Sequence, residues 1–210
     1  MTSRKLILRS LLSIGLGVSL SGCFSVLPDP KPANVIYRLS SNAASVTPNA
    51  NAEIIRIDRP AATQIFNSTD IVVTTDGQKL SVISQANWAE AAPVLIQTSL
   101  MNALAGSRNF IGLIPTSGAR TETRLHLEVS NFEARFDGGK NSAPLAVVSY
   151  RVTYARADDR RLIGTYAVEK TARAESINVS SIVSAIDAAN NSAMSDIVAW
   201  LETQSSSNRS

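Results

Sequence analysis

Two hydrophobic periods alternate along most of this chain, behind an apolar leader and a short polar stretch. Alternation every second residue predicts strands, and apolar positions three or four apart predict helices. Val35–Leu39 (VIYRL) and the Ile-rich run Ala52–Asp58 are the first expected strands, the second stopped by Pro60. Asp70–Thr75 and Leu80–Ser84 flank Asp76-Gly77, a dipeptide that favours a tight hairpin between β-branched runs. The period then changes over Trp88–Ala105, where Val94, Leu95, Ile96, Leu100, Met101 and Leu104 make a broad apolar face. Pro93 falls in the first turn of that helix and Gly106 stands at its C-cap. Asn109–Ile114 is a short strand. Three longer runs follow, Thr121–Arg135, Ala143–Ala155 and Arg161–Ala174, separated by turn signals at Gly138-Gly139 and Asp158-Asp159. They predict an antiparallel meander. In the first run Leu125, Leu127 and Val129 alternate with Arg124, His126, Glu128 and Ser130, so one face meets a core and the other faces water or a partner. A closing helix from Ser180 to about Thr203 carries Ile182, Ile186, Ala189, Ala193, Ile197 and Leu201 along one stripe. The order of strands, helix, strands and helix predicts one α+β domain over 35–204. Its mostly antiparallel sheet would carry two main helices on one face. Ser40–Asn51 reads as a loop, and 205–210, ending in SSSNRS, as a disordered tail.

The leader narrows the compartment. Arg4, Lys5 and Arg9 precede an apolar run from Leu11 to Leu20. A spanning helix needs about 20 apolar residues, and a basic start with a shorter apolar run is the layout of a secretory signal. The segment closes with Leu20-Ser21-Gly22-Cys23, which resembles a bacterial lipobox. A thiol is the side chain best suited to form a thioether with a diacylglyceryl donor, and small residues before it admit a peptidase. The resemblance implies a signal peptide over 1–22, cleavage between Gly22 and Cys23, and covalent acyl chains on Cys23. One acyl chain binds a membrane with a constant of only about 10⁴ M⁻¹, whereas two or more anchor stably. Cys23 is the one cysteine in 210 residues, so no disulfide can form within the chain. Phe24, where an Asp would favour the inner membrane, favours the outer. Residues 23–34, with Pro28, Pro30 and Pro32, form a stiff extended tether.

Charge changes sign of meaning once the signal is removed. The whole chain is formally +3, but losing Arg4, Lys5 and Arg9 takes its 20 basic residues to 17, equal to its 17 acidic ones. The basis for a nucleic-acid partner disappears. His126 is the single histidine, on the polar face of its strand, with no second His or Cys to complete a metal site. No G-x-S-x-G elbow is present. Asp158-Asp159 reads as a turn, and Arg151, Arg156, Arg160, Arg161 and Arg173 read as a solvated sheet face. Arg160 and Arg161 are also placed to touch lipid head groups or a partner. The pattern predicts a non-enzymatic protein without metal or cofactor.

Several segments then fall in a familiar order. The lipobox and tether lead to Tyr37-Arg38-Leu39, an I-x-I-D-x-P strand end at Ile55–Pro60, and STDIVVTTDGQKL from Ser68. Trp88-Ala89-Glu90 opens a helix, and Ala199-Trp200-Leu201 lies near the end of the last one. From about Val35 to Leu201 this resembles the auxiliary lipoprotein family of ABC-type transport systems, the PqiC-like group. The resemblance implies a component lying on a leaflet facing the periplasm, with an MCE-domain protein, an ABC permease and an ATPase as partners in lipid transport. Homo-oligomers are compatible with that role. Trp88 is the first candidate for a partner surface, with Tyr37, Arg160 and Arg161; a core position under the helix is the alternative for Trp88. Two other readings stand beside it, a periplasmic lipid carrier and an assembly or pilot lipoprotein for another envelope machine.

Overall fold

The computed structural model describes residues 33–40 and 46–208. The signal at 1–22, the Gly22–Cys23 cleavage pair and nearly all of the 23–34 tether lie outside those residues.

The expected meander forms the spine of the fold. Strands β7 (Thr123–Arg135), β8 (Leu145–Arg156) and β9 (Leu162–Arg173) pair antiparallel in chain order. Alternation sets the faces: Leu125, Leu127, Val148, Tyr150, Val152 and Tyr154 are buried toward the helices. A bulge between Val129 and Asn131 shifts the phase, so that Phe132 and Ala134 stay on the buried side.

The other edge of β7 is shared. Strands β2 (Glu53–Ile57), β3 (Ala61–Ala62) and β4 (Asp70–Thr75) follow one another along it, each parallel to β7, at Leu125, Val129 and Ala134 in turn. Strand β5 (Lys79–Trp88) returns antiparallel to β4 through a turn in which Asp76 and Gly77 both have positive φ, 52° and 76°. That is the hairpin geometry the Asp-Gly pair favours. Strand β1 (Val35–Tyr37) adds parallel to β5, and β6 (Phe110–Leu113) parallel to β2. The result is one mixed sheet of nine strands, antiparallel over most of its paired length.

Helices α1 (Ala92–Ala105) and α2 (Val179–Asn208) lie together on one face of the sheet. The α2 stripe matches the periodicity: Ile182, Ile186, Ala189, Ala193, Ile197 and Leu201 are all buried. Asn178 caps α2, its Oδ1 accepting the Ser181 N–H at 2.8 Å. Two boundaries differ from the pattern. Helix α1 starts four residues later than Trp88 because Pro93 fits only the first turn, and Trp88 ends β5 instead. Helix α2 runs on to Asn208, so residues 205–208 are helical and not the tail expected there.

One close approach fixes α2 against β9. A Cβ built on Gly164 would lie 2.9 Å from Gln204 Oε1 and 3.1 Å from Trp200 Cζ2. The Trp200 ring stacks on Tyr166 at 5.4 Å and meets Tyr154 edge-on at 6.2 Å. Gly164→Val is expected to push Trp200 off Tyr166 and destabilise the domain by about 1–3 kcal/mol, the usual cost of overpacking. Urea denaturation followed by tryptophan emission measures both, and an unchanged midpoint would show that the helix end yields freely.

Candidate functional site

Alternation along β2 places Glu53 on the same face as the buried Ile55 and Ile57. A carboxylate on a core-facing position requires partners, and three other elements supply them. Thr123 at the start of β7 donates its hydroxyl to Glu53 Oε1 at 2.6 Å, and the Tyr154 phenol of β8 donates to the same oxygen. Ser205, in the last turns of α2, donates to Oε2 at 2.8 Å. Among the described residues, none of Glu53's partners is a cation. Burial pushes the Tyr154 phenol far above its usual range, and the neighbouring Glu53 carboxylate adds to the shift.

This cluster lies at the floor of a surface cleft of about 690 Å³. Glu53, Thr123 and Ser205 line it, with Ala50, Ile54 and Ile163 as apolar wall. Arg120, Glu122 and Arg156 bring charge to it. Arg156 is already engaged: its Nη2 donates to Asp158 at 2.9 Å, and that bond holds the Asp158 carboxyl well below the usual carboxylate range. Arg120 is exposed and has no ion pair among the described residues.

The sheet face opposite the helices is polar and cross-linked. Thr74 of β4 donates to Glu133 Oε2, and Arg135 Nε donates to Glu133 Oε1 at 2.8 Å. Arg135 also reaches Asn131, whose amide donates to Ser149 at 3.1 Å, and Ser149 in turn donates to Glu169 at 2.6 Å. Arg124 pairs with Asp58, Arg151 with Glu128 and Arg173 with Asp137. The last contact keeps the Asp137 carboxyl below its ordinary range. His126 is half-buried on this face, opposite Thr153. Among the described residues no three metal-ligating side chains gather, and no helix is long and apolar enough to cross a membrane.

The structure separates the residues proposed as a partner surface. Trp88 is 2 % exposed, with its ring 5.6 Å from Phe132. It belongs to the core and presents no surface, because the last residue of β5 turns its ring inward onto Phe132 of β7. Tyr37 is half-buried against the same core, and its carbonyl accepts the Ala89 N–H. Arg160 and Arg161 do stand exposed at the β8–β9 turn, with no ion pair among the described residues. Arg160 has a positive φ of 60° there. Cys23 and Gly22 fall outside the described residues. The Glu53 cluster was not found from sequence, although one signal was present: a charged residue in phase with two core isoleucines.

The family comparison decides the class. A model of the ABC-type transport auxiliary lipoprotein component matches residues 37–198. The chain belongs to that family. As an auxiliary lipoprotein it is a component of an ABC-type transport system in the cell envelope, with a transporter as partner. No match is found among curated proteins. Among solved structures, protein XCC0632 from Xanthomonas campestris is 20 % identical with a TM-score of 0.71, over 83 % of this chain and 99 % of that one. An uncharacterized protein is 12 % identical with a TM-score of 0.64, over 80 % of this chain and 99 % of that one. Both likenesses establish the fold of the auxiliary lipoprotein.

Proposed function

We propose that this auxiliary lipoprotein is a non-enzymatic docking module of an MCE-type lipid transport system. In this reading Cys23 carries acyl chains in the periplasmic leaflet of the outer membrane. The tether lifts the domain from that surface, and the domain receives the far end of an MCE assembly spanning the periplasm. The observation that carries the reading is the family match over 37–198 directly downstream of the Leu20–Cys23 tetrapeptide. The exposed Arg160 and Arg161, without an ion pair among the described residues, supply donors for a partner, and the cross-linked polar sheet face supplies a preorganised surface. The layer between helices and sheet is filled by fully buried side chains such as Ile96, Leu100, Phe132 and Tyr150, which favours docking over an acyl-chain carrier.

A mild-detergent pull-down of the full-length tagged protein tests the role. An MCE-domain protein, permease and ATPase should be recovered together; recovery of the acylated protein alone would reject docking. Cys23→Ser should remove the acyl mass and leave the 1–22 signal uncleaved. A variant that still carries acyl chains would reject Cys23 as the anchor.

A further inference from the structure

The cleft above Glu53 holds two opposite charges, Glu53 and Arg120, that form no ion pair among the described residues. Glu53 accepts three hydroxyls and pairs with no cation among the described residues. A carboxylate offers about four lone-pair positions, so one acceptor position remains, on Oε2. Neutral hydroxyl donors orient the anion without cancelling its charge. The exposed Glu122 lines the same cleft and its charge acts on Arg156. On the positive side, Arg156 is satisfied by Asp158, while Arg120 has no ion pair among the described residues. A cationic donor over Glu53 and an anion on Arg120 would therefore complete the cleft, and Ile54 and Ile163 offer apolar surface beside them.

We propose that this cleft binds a primary ammonium zwitterion, with the ammonium on Glu53 and the attached phosphate on Arg120. The ammonium supplies the N–H donors that the remaining Glu53 acceptor position takes, and charge-assisted hydrogen bonds of this kind are about twice as strong as neutral ones. Arg120 provides a planar fork for the phosphate. The Thr123, Tyr154 and Ser205 hydroxyls fix the carboxylate, so little ordering remains to be done on binding. The same chemistry occurs in a free phosphoethanolamine and in a phospholipid head group, and Ile54 and Ile163 would meet the first carbons of the latter.

Calorimetric titration of the full-length protein in maltoside micelles tests the site, with O-phosphoethanolamine as the probe. Saturable one-to-one binding at about 1 mM or tighter is expected for two charged contacts. Glu53→Gln keeps an acceptor for the hydroxyls but loses the charge, and Arg120→Gln alters only an exposed side chain. Each should weaken binding by about tenfold or more. Phosphocholine, which has the same charges and no ammonium N–H, should bind about tenfold more weakly as well. Absence of saturable heat, wild-type affinity in both variants, or equal binding of phosphocholine would overturn the proposal. Dihexanoyl phosphatidylethanolamine then distinguishes the source within a positive result. Tighter binding than the free head group assigns the site to a lipid, and equal binding assigns it to a soluble zwitterion.

Discussion

Trp88→Ala should lower the unfolding free energy by about 3–5 kcal/mol, the range for truncating a buried aromatic to alanine. For a domain of this size that corresponds to a fall in Tm of roughly 10 °C. The ring is buried, packs against Phe132 and sits where β5 meets the start of α1. Truncation would open a cavity in the core beside Phe132, among packed elements that relax only in part. The same substitution distinguishes the two roles that a tryptophan at a strand–helix junction can take. A core residue costs stability at any partner concentration, whereas an interface residue costs affinity and leaves the isolated protein intact. Urea denaturation of the variant decides it, and an unchanged midpoint would return Trp88 to the surface.

Alkaline pH should unfold this domain earlier than its charge balance suggests. Tyr150 is fully buried, its hydroxyl donating to Asn190 at 2.8 Å, and burial raises its phenol well above the ordinary range. Tyr154 is raised by burial and by Glu53. In the unfolded chain both phenols ionise near pH 10; in the folded chain both keep their protons. Above about pH 10 the unfolded state therefore binds fewer protons than the native state, and stability falls as pH rises. The slope approaches about 1.4 kcal/mol per pH unit for each phenol, until the folded protein itself ionises. Two phenols acting together would remove a large part of a typical stability of about 5–15 kcal/mol by pH 12. Urea midpoints at pH values of about 8, 10 and 11 measure the slope. Unfolding at the highest pH should also release a step of tyrosinate absorbance. A flat profile to pH 11 would mean that neither phenol is protected.

Local periodicity carried the meander, the hairpin and both helices, because each depends on residues within one or two turns of one another. The pairing of β2, β3 and β4 with β7 was not legible. It joins Ile55 to Thr123 and Val73 to Ala134, and no local pattern encodes the register of strands so far apart. Trp88 was misplaced for a different reason. An apolar residue before a helix can end a strand or begin the helix, and Pro93 settles the choice only once its position in the first turn is known. The end of α2 was missed because SSSNRS has weak helix propensity, while Ser205 is held by a carboxylate 152 positions earlier. The Glu53 site shares that origin: its donors at 123, 154 and 205 form no motif in the chain. The exposure of Arg160 and Arg161 was legible because turn residues at a meander tip are exposed by construction.

Ser40 is fastened to the middle of α2. Its N–H donates to Asp187 Oδ1 at 2.9 Å across 147 positions, and the Asn191 amide donates to its hydroxyl at 3.2 Å. Meanwhile β2, β3 and β4 all await the one edge of β7 that aligns them. A chain delivered N-terminus first therefore presents its early strands long before their common neighbour exists, and although β1 can pair with β5, Ser40 stays unfastened until the last 30-residue helix has arrived. Such long-range pairings slow folding, and unpaired strand edges invite association with other chains in the interval. Synthesis and maturation of this protein are thus exposed to a waiting time set by the arrival of β7 and α2, during which a holding chaperone would have the most to protect.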